Sequence, residues 1–394
     1  MSSSPADQDW FDETLPLPQA GLIWPWITAG ALLFGLGIWL LLPVDSDKPL
    51  RPRASPLATP IVTPLPTQAV DPAALNCVFV DSSNSSFAEA AGHLDQILRT
   101  RSQAQLGLQL HSSGQFDGKK LDEMSIIEQV RSGRAQLGVV TCSPLTNFSP
   151  DFEIFDLPFL IQSYEQADQV LSGPVGEQLL SSLEPQGLVG LGTLEVGFRI
   201  FSSSVPLPAL SDFRGKRVRV MQSSTAIQMA RQLGCEAVPA PVDRIYQMGK
   251  EGYIDAADRT YPTYWDFRLY EVHRYITESR HSYTMKVIIM NKAAYTQLSP
   301  EQRSLLRQSV QEVEGEQRQR QREEDQRVKL ECRRRGIQIF ELDEQEINEF
   351  VETCQPLYEE YFKLRGPDLV EAIRKTRPER PTKPTSPGDT PSHT

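Results

Sequence analysis

The chain has five histidines and five cysteines in 394 residues. Cys77, Cys142, Cys235, Cys332 and Cys354 form no C-x-x-C pair and no Cys/His cluster at zinc spacing, so neither a structural zinc site nor a dithiol centre is expected. An odd count leaves at least one thiol unpaired within a chain, and cysteines this scattered read as small buried hydrophobes. Positive charge is not in excess: 40 Lys and Arg face 51 Asp and Glu, for a net charge of -11. That speaks against nucleic acid, which needs a basic stripe. No H-E-x-x-H, G-x-S-x-G or phosphate loop occurs. Gly190 and Gly192 begin a dinucleotide fingerprint, but Glu195 stands where its third glycine belongs. No enzyme, metal or cofactor is expected.

One long hydrophobic run is present, residues 21–42, GLIWPWITAGALLFGLGIWLLL, without a charge. About 20 apolar residues cross a bilayer as a helix. Trp24, Trp26 and Trp39 lie near its ends, as interfacial anchors do, and Pro25 falls in its first turns, where a missing N–H costs least. A cleaved signal peptide is the competing reading; the absent basic n-region, the long core and the absent A-x-A site speak against it. The expectation is a retained transmembrane anchor at 21–42, after an acidic disordered tail at 1–20. A Pro-rich stalk at 43–74 follows, favouring polyproline II. Lys48, Arg51 and Arg53 follow the run and nothing basic precedes it, so the positive-inside rule places the body in the cytoplasm.

From residue 76 the pattern is α/β. Apolar strands at 76–80, 106–110 and 135–140 alternate with helical spacing at 87–101 and 125–131, an order that builds a mostly parallel sheet. Helices are also expected at 164–183, 224–233, 243–250 and 344–362, and strands at 188–194, 253–257, 283–291 and 336–342. Residues 152–160, FEIFDLPFL, suit either core or a cleft wall. Ser299-Pro300-Glu301-Gln302 starts a helix, with Ser as cap, Pro first and Gln third. It runs to Arg335, roughly 50 Å at 1.5 Å per residue. Its second half is charged almost all round, as in a solvated helix or one bridging two lobes. Residues 376–394 are expected to be disordered.

Three arginines carry the functional signal. Arg199 and Arg219 sit in apolar-alternating runs, and Arg259 follows IDAAD. In residues 216–221 a period of two puts Val218 and Val220 on one face and Arg217, Arg219 and Met221 on the other. A guanidinium on the inner side of a buried strand needs an anion, and its planar fork fits a carboxylate. A solvated sheet face, or pairing with Asp or Glu, accounts for the same pattern. Tyr261, Tyr264, Trp265 and Phe267 suit the apolar walls of a small-anion site, and equally plain core packing.

Residues from about 76 to 374 resemble the solute receptors of TRAP-type (tripartite ATP-independent periplasmic) transporters, the DctP-like family. The resemblance lies in the order of several stretches: GKKLDEMSIIEQVRSGRAQLGVV, FEIFDLPFLIQSYEQA, GFRIFSSSVPLPALSDFRGKRVRV, LGCEAVPAPVDRIYQMGKEGYIDAAD, ESRHSYTMKVIIMNKAAYTQLSPEQ and RRRGIQIFELDEQEINEFVETCQPLYEEYF. It implies an α/β, two-lobed periplasmic-binding-protein-like fold with a long helix crossing both lobes, here preceded by a transmembrane helix. Lobe I is then 75–195 plus 285–325, and lobe II 196–284 plus 326–375. It also implies a small organic acid as ligand, TRAP-type permease subunits as partners, and a periplasmic body, against the charge rule. By the same resemblance Arg219, in G-x-x-x-R-V, is the carboxylate clamp, Arg199 the second arginine, and Gln222 a polar wall. Arg259 replaces a family asparagine and, with Tyr261, is counted among the ligand-binding residues. It either adds a charge that favours a di-acid, pairs with Asp258, or fills the space. Arg244 replaces a family acidic residue, and His281 matches a family position with a structural role. An anchored sensor or scaffold reusing the same fold is the alternative.

Overall fold

The computed structural model describes residues 74–378. The expected acidic tail, the anchor at 21–42, nearly all of the stalk and most of the C-terminal tail lie outside the described residues. Among the described residues no helix is long and apolar enough to cross a membrane.

Two sheets build two lobes. In the first, the strand order is Gly107–His111, Ala74–Phe79, Leu137–Thr141, Tyr283–Asn291 and Leu188–Phe198. In the second it is Gln338–Glu341, Tyr275–Glu278, Ile200–Ser203, Ala256–Arg259, Arg217–Val220 and Glu236–Pro239. Each sheet is parallel except for one strand, Tyr283–Asn291 in the first and Ile200–Ser203 in the second. The antiparallel strand is in each case the one that arrives from the other lobe. Strand Leu188–Phe198 leaves the first sheet, and Ile200–Ser203 enters the second one residue later. Strand Tyr275–Glu278 leaves the second, and Tyr283–Asn291 enters the first.

These two crossings lie side by side. Tyr283 pairs with Phe198 and Thr277 with Phe201, and between them the Arg199 N–H donates to the Ser282 carbonyl at 2.8 Å. Gly197 carries the bend, with φ +103. A Cβ there would lie 3.1 Å from Asp325 Oδ2, so position 197 has neither the backbone freedom nor the room for a side chain.

The long helix, Pro300–Arg334, starts with the expected capping box at Ser299 and Gln302. Its buried face is apolar at the two ends, with Leu306, Val310 and Val313 before the crossing and Val328 and Cys332 after it. In the middle the buried residues are Gln317, Gln321 and Asp325. The reason is the neighbour. Strand Leu188–Phe198 is the edge of its sheet, so its outer backbone groups need partners. Gln317 gives Nε2 to the Glu195 carbonyl at 2.9 Å and takes the Glu195 N–H on Oε1 at 2.7 Å. Glu314 accepts from the Thr193 N–H, and Gln321 donates to the Val196 carbonyl. Positions three and four apart on the helix thus stand in for a missing strand. Arg322 ties the same region to Asp168 and the buried Glu195. The helix crosses both lobes, packing on the Leu188–Phe198 strand in one and on helix Tyr261–Asp266 in the other.

Three sequence expectations shift. The helical stretch at 164–183 is two helices, Tyr164–Leu171 and Pro174–Ser181, because Gly173-Pro174 ends one and opens the next. The stretch at 344–362 likewise divides into Glu344–Thr353 and Gln355–Arg365, with Pro356 in the first turn of the second. The strand expected at 253–257 is Ala256–Arg259; Tyr253 is 61% exposed in the turn before it. Residues 152–160 are core: Phe152, Ile154, Phe155, Leu157, Phe159 and Leu160 are all buried, worth roughly 1.5–3 kcal/mol for each large side chain. All five cysteines are buried and free.

Candidate functional site

The site is built where the crossings pass the C-terminal ends of two parallel strands. Strand Arg217–Val220 pairs in register with Ala256–Arg259, Arg219 lying beside Ala257. Side chains alternate between faces. Val218 and Val220 enter the main core, and Arg219 leaves from the other face. Arg259, two residues past Ala257, shares that face with Arg219. Asp258 leaves from the opposite one.

Arg199, Arg219 and Arg259 are 7%, 4% and 1% exposed, so the solvated-face reading of the three fails. Asp258 is the hub. Its Oδ1 accepts from Arg199 Nε at 2.5 Å and from His281 Nε2 at 3.2 Å. Its carbonyl accepts from Arg199 Nη2 at 2.9 Å and Arg219 Nη1 at 3.3 Å. Burial opposes the Asp258 charge, but Arg199 and His281 outweigh it and hold the carboxyl well below the usual carboxylate range. His281 is lowered by burial, despite the Asp258 hydrogen bond that favours its charge. Its Nδ1 meets the Ser279 hydroxyl at 2.8 Å, and its ring stacks on Phe201 at 4.2 Å. The Ser279–His281–Asp258 chain thus fixes a carboxylate against Arg199. All three residues are buried.

Among the described residues Arg219 has no carboxylate partner. Its Nε donates to the Ala240 carbonyl at 2.7 Å, and burial and the nearby Arg199 lower its pKa to about 10. Arg259 is poorer still. Nε reaches only the Ala257 carbonyl, at 3.3 Å, and Nη1 and Nη2 have no hydrogen-bond partner among the described residues. Burial, then Arg219, drives its pKa well down. Asp258 goes to Arg199, so the pairing of Arg259 with its sequence neighbour does not form.

The two lobes touch near the cluster. Thr225 of the second lobe donates to Glu153 Oε1 of the first at 3.0 Å, and Ser143 stands 3.9 Å from Met221 Sδ. Asp156, pushed up to about 6 by burial, accepts from Ser143 at 3.1 Å and feels Arg199. A groove of about 790 Å³ runs along the long helix between Asp168 and Leu330, and none of the three arginines lines it. Among the described residues no group of His, Cys, Asp or Glu is placed to hold a metal.

The other sequence candidates fall outside this cluster. Gln222 is exposed beyond the Arg217–Val220 strand. Tyr261 is buried in the second lobe's outer core, its hydroxyl on Glu278 at 3.2 Å. Arg244 is exposed in the turn Val242–Arg244. Asp258 was missed as the hub, and Asp156 was missed altogether. An acid next to Arg259 was visible in the sequence, but its partner depended on which crossing segment passes over it.

Bacterial extracellular solute-binding protein family 7, DctP, matches residues 78–364 of the chain. The C4-dicarboxylate-binding periplasmic protein DctP of Rhodobacter capsulatus is 28% identical over 251 residues, 62% of this chain and 75% of that protein. The 2,3-diketo-L-gulonate-binding periplasmic protein YiaO of Escherichia coli is 27% identical over 251 residues, 64% of this chain and 75% of that one. Among solved structures, a TRAP periplasmic solute binding protein of a Bradyrhizobium species, in complex with galacturonate, has a TM-score of 0.71 at 27% identity, covering 77% of this chain and 99% of its own. One from Chromohalobacter salexigens, with D-glucuronate bound, has a TM-score of 0.73 at 23% identity, covering 77% and 100%, and so shares the fold. The two-lobed fold, the long crossing helix and this match over most of the body agree: the chain belongs to family 7 of the bacterial extracellular solute-binding proteins, the TRAP-type solute receptors, and is a binding protein rather than an enzyme.

Proposed function

We propose that the body closes its two lobes on a small organic carboxylate and presents it to a TRAP-type permease from the extracytoplasmic side. The observation that carries this reading is Arg219, a buried guanidinium bonded to two carbonyl oxygens and, among the described residues, to no carboxylate. Such a fork is pre-organised for a planar anion. Arg199, held by Asp258, forms the second wall of the clamp, and Arg259 the third. Relatives that bind sugar acids and C4-dicarboxylates support the ligand class. Gln222 is reassigned from the wall to the rim, and Tyr261 to packing. The test is calorimetric titration of the purified protein against mono- and dicarboxylates. A folded protein that binds none of them would overturn the receptor reading and favour the sensor or scaffold.

The second part of the proposal is the tether: residues 21–42 hold the body at the membrane on the Pro-rich stalk, with the family's periplasmic side preferred over the modest bias of three basic residues. Deleting residues 21–42 is expected to move the body into the soluble fraction. Retention of the deleted form in washed membranes would rule out this segment as the attachment.

A further inference from the structure

Asp325 lies on the long helix where the helix passes the two crossings between the lobes. It is 5% exposed. Its Oδ2 accepts from the Tyr164 hydroxyl at 2.9 Å, and its Oδ1 has no hydrogen-bond partner among the described residues. A buried carboxylate bonded so poorly is costly, and a proton relieves the cost. Burial pushes the Asp325 carboxyl up to about 7; the Tyr164 hydroxyl and Arg280 oppose the rise, and Glu195 adds to it.

The groups around Asp325 come from parts of the chain that shift against one another when lobes move. Gly197, on the first crossing, has φ +103 and stands so close that a Cβ would meet Oδ2 at 3.1 Å. Arg280, on the second crossing, is left-handed too, with φ 48, which is uncommon for a residue with a side chain. Its guanidinium lies over the Phe198 ring at 4.2 Å and the Tyr164 ring at 5.5 Å. The first lobe contributes Tyr164 and Glu195, the latter held by Arg322 and the Tyr283 hydroxyl. On the long helix itself Arg322 is committed to Asp168 and Glu195. The second lobe contributes Tyr261, whose hydroxyl is on Glu278, itself paired with Lys329. An acid with an unbonded oxygen thus sits between two left-handed residues, one on each crossing.

We infer that Asp325 makes lobe closure proton-linked: it holds a proton when the lobes close and releases it as they part. This rests on the lobe closure of the receptor reading and holds whatever the ligand. Rotation at the crossings loosens the packing around Asp325 and admits water, which lowers the cost of its charge and returns it toward the ordinary aspartate range of about 4. The closed form therefore binds more protons and gains as pH falls. Between pH 8 and 6 the closed-to-open ratio is expected to rise about tenfold.

The test reads lobe separation without a ligand. Spin labels are placed at Lys119→Cys and Arg244→Cys, exposed positions that follow the C-terminal ends of strands Gly107–His111 and Glu236–Pro239, one in each lobe. The five native cysteines are buried. Double electron–electron resonance on the full-length protein in detergent is expected to show the short-distance population growing about tenfold over the long one from pH 8 to pH 6. Asp325→Asn, neutral at every pH, is expected to keep the acid distribution throughout. Tyr164→Phe removes the hydroxyl that steadies the charged form, so its midpoint is expected to move to higher pH. A wild-type distribution that stays flat from pH 8 to 6, or a pH response that survives in Asp325→Asn, overturns the inference and leaves standing the receptor reading, which the carboxylate titration tests separately. Should Asp325→Asn fail to fold, Tyr164→Phe decides, and an unmoved midpoint overturns the inference.

Discussion

Arg219→Ala is expected to weaken carboxylate binding by about 3 kcal/mol, roughly a hundredfold, the range for removing one side of a desolvated charge pair. The effect should lie mainly in the dissociation rate, since the group is buried and contributes little to long-range steering. Arg219→Lys separates charge from geometry. It keeps the cation and loses the fork, so an intermediate loss is expected. Loss of fold is not the expected explanation. Without ligand Arg219 is a buried cation lowered to about 10, bonded only to the Ala240 and Asp258 carbonyls. Removing it relieves desolvation while stranding two carbonyl oxygens, two opposing effects of similar size. Calorimetry on wild type and both variants, with an urea melt of each, checks this. An unchanged dissociation constant in Arg219→Ala would remove Arg219 from the site.

Asp258→Asn is expected to have the opposite profile, a large loss of stability before any effect on binding is measured. The substitution keeps the shape and removes the carboxylate that is bonded to Arg199 at its buried position. Breaking one side of such a pair costs about 3–5 kcal/mol, because the remaining charge stays buried. The pH dependence follows from the direction of the shift. Asp258 is held below its unfolded value, so its contribution is fully present above about pH 4, the ordinary aspartate range. It is lost as pH falls through the folded value. The gap between wild type and Asp258→Asn should be widest near pH 7 to 8 and begin to narrow below about pH 4, without vanishing until pH approaches the folded value. Urea unfolding at pH 7 and pH 3 checks this: a smaller but still present gap at pH 3 is expected. Equal midpoints at pH 7 would mean that Arg199 finds another counter-ion and that Asp258 is not the hub.

Much of the fold was legible because it is written in local periodicity. Strand Tyr283–Asn291 and the capped start of the long helix were found at their observed positions, since each rests on neighbouring residues alone. The helix breaks at Gly173-Pro174 and Pro356 were readable in principle: proline chemistry is local, and amphipathic spacing carried the reading past it. The glutamines of the long helix are different. Gln317 and Gln321 look like a solvated face by composition, and they are buried because an edge strand from a hundred residues earlier needs its backbone satisfied.

The site divides the same way. The sequence by itself singled out the arginines as anion-holding candidates: arginines on period-two strands, one face at a time, with aromatics nearby. That much follows from side-chain chemistry and the alternation of a strand. Only the tertiary structure decided the pairing. Asp258 follows Ala257 and precedes Arg259 along the chain, yet strand geometry turns Asp258 and Arg259 to opposite faces, and the crossing segments bring Arg199 and His281 over Asp258. Arg259 is left with Arg219 for a neighbour and no anion. A charge's partner is set by which strands pair and where the chain changes lobes, and both are long-range facts that no local pattern contains.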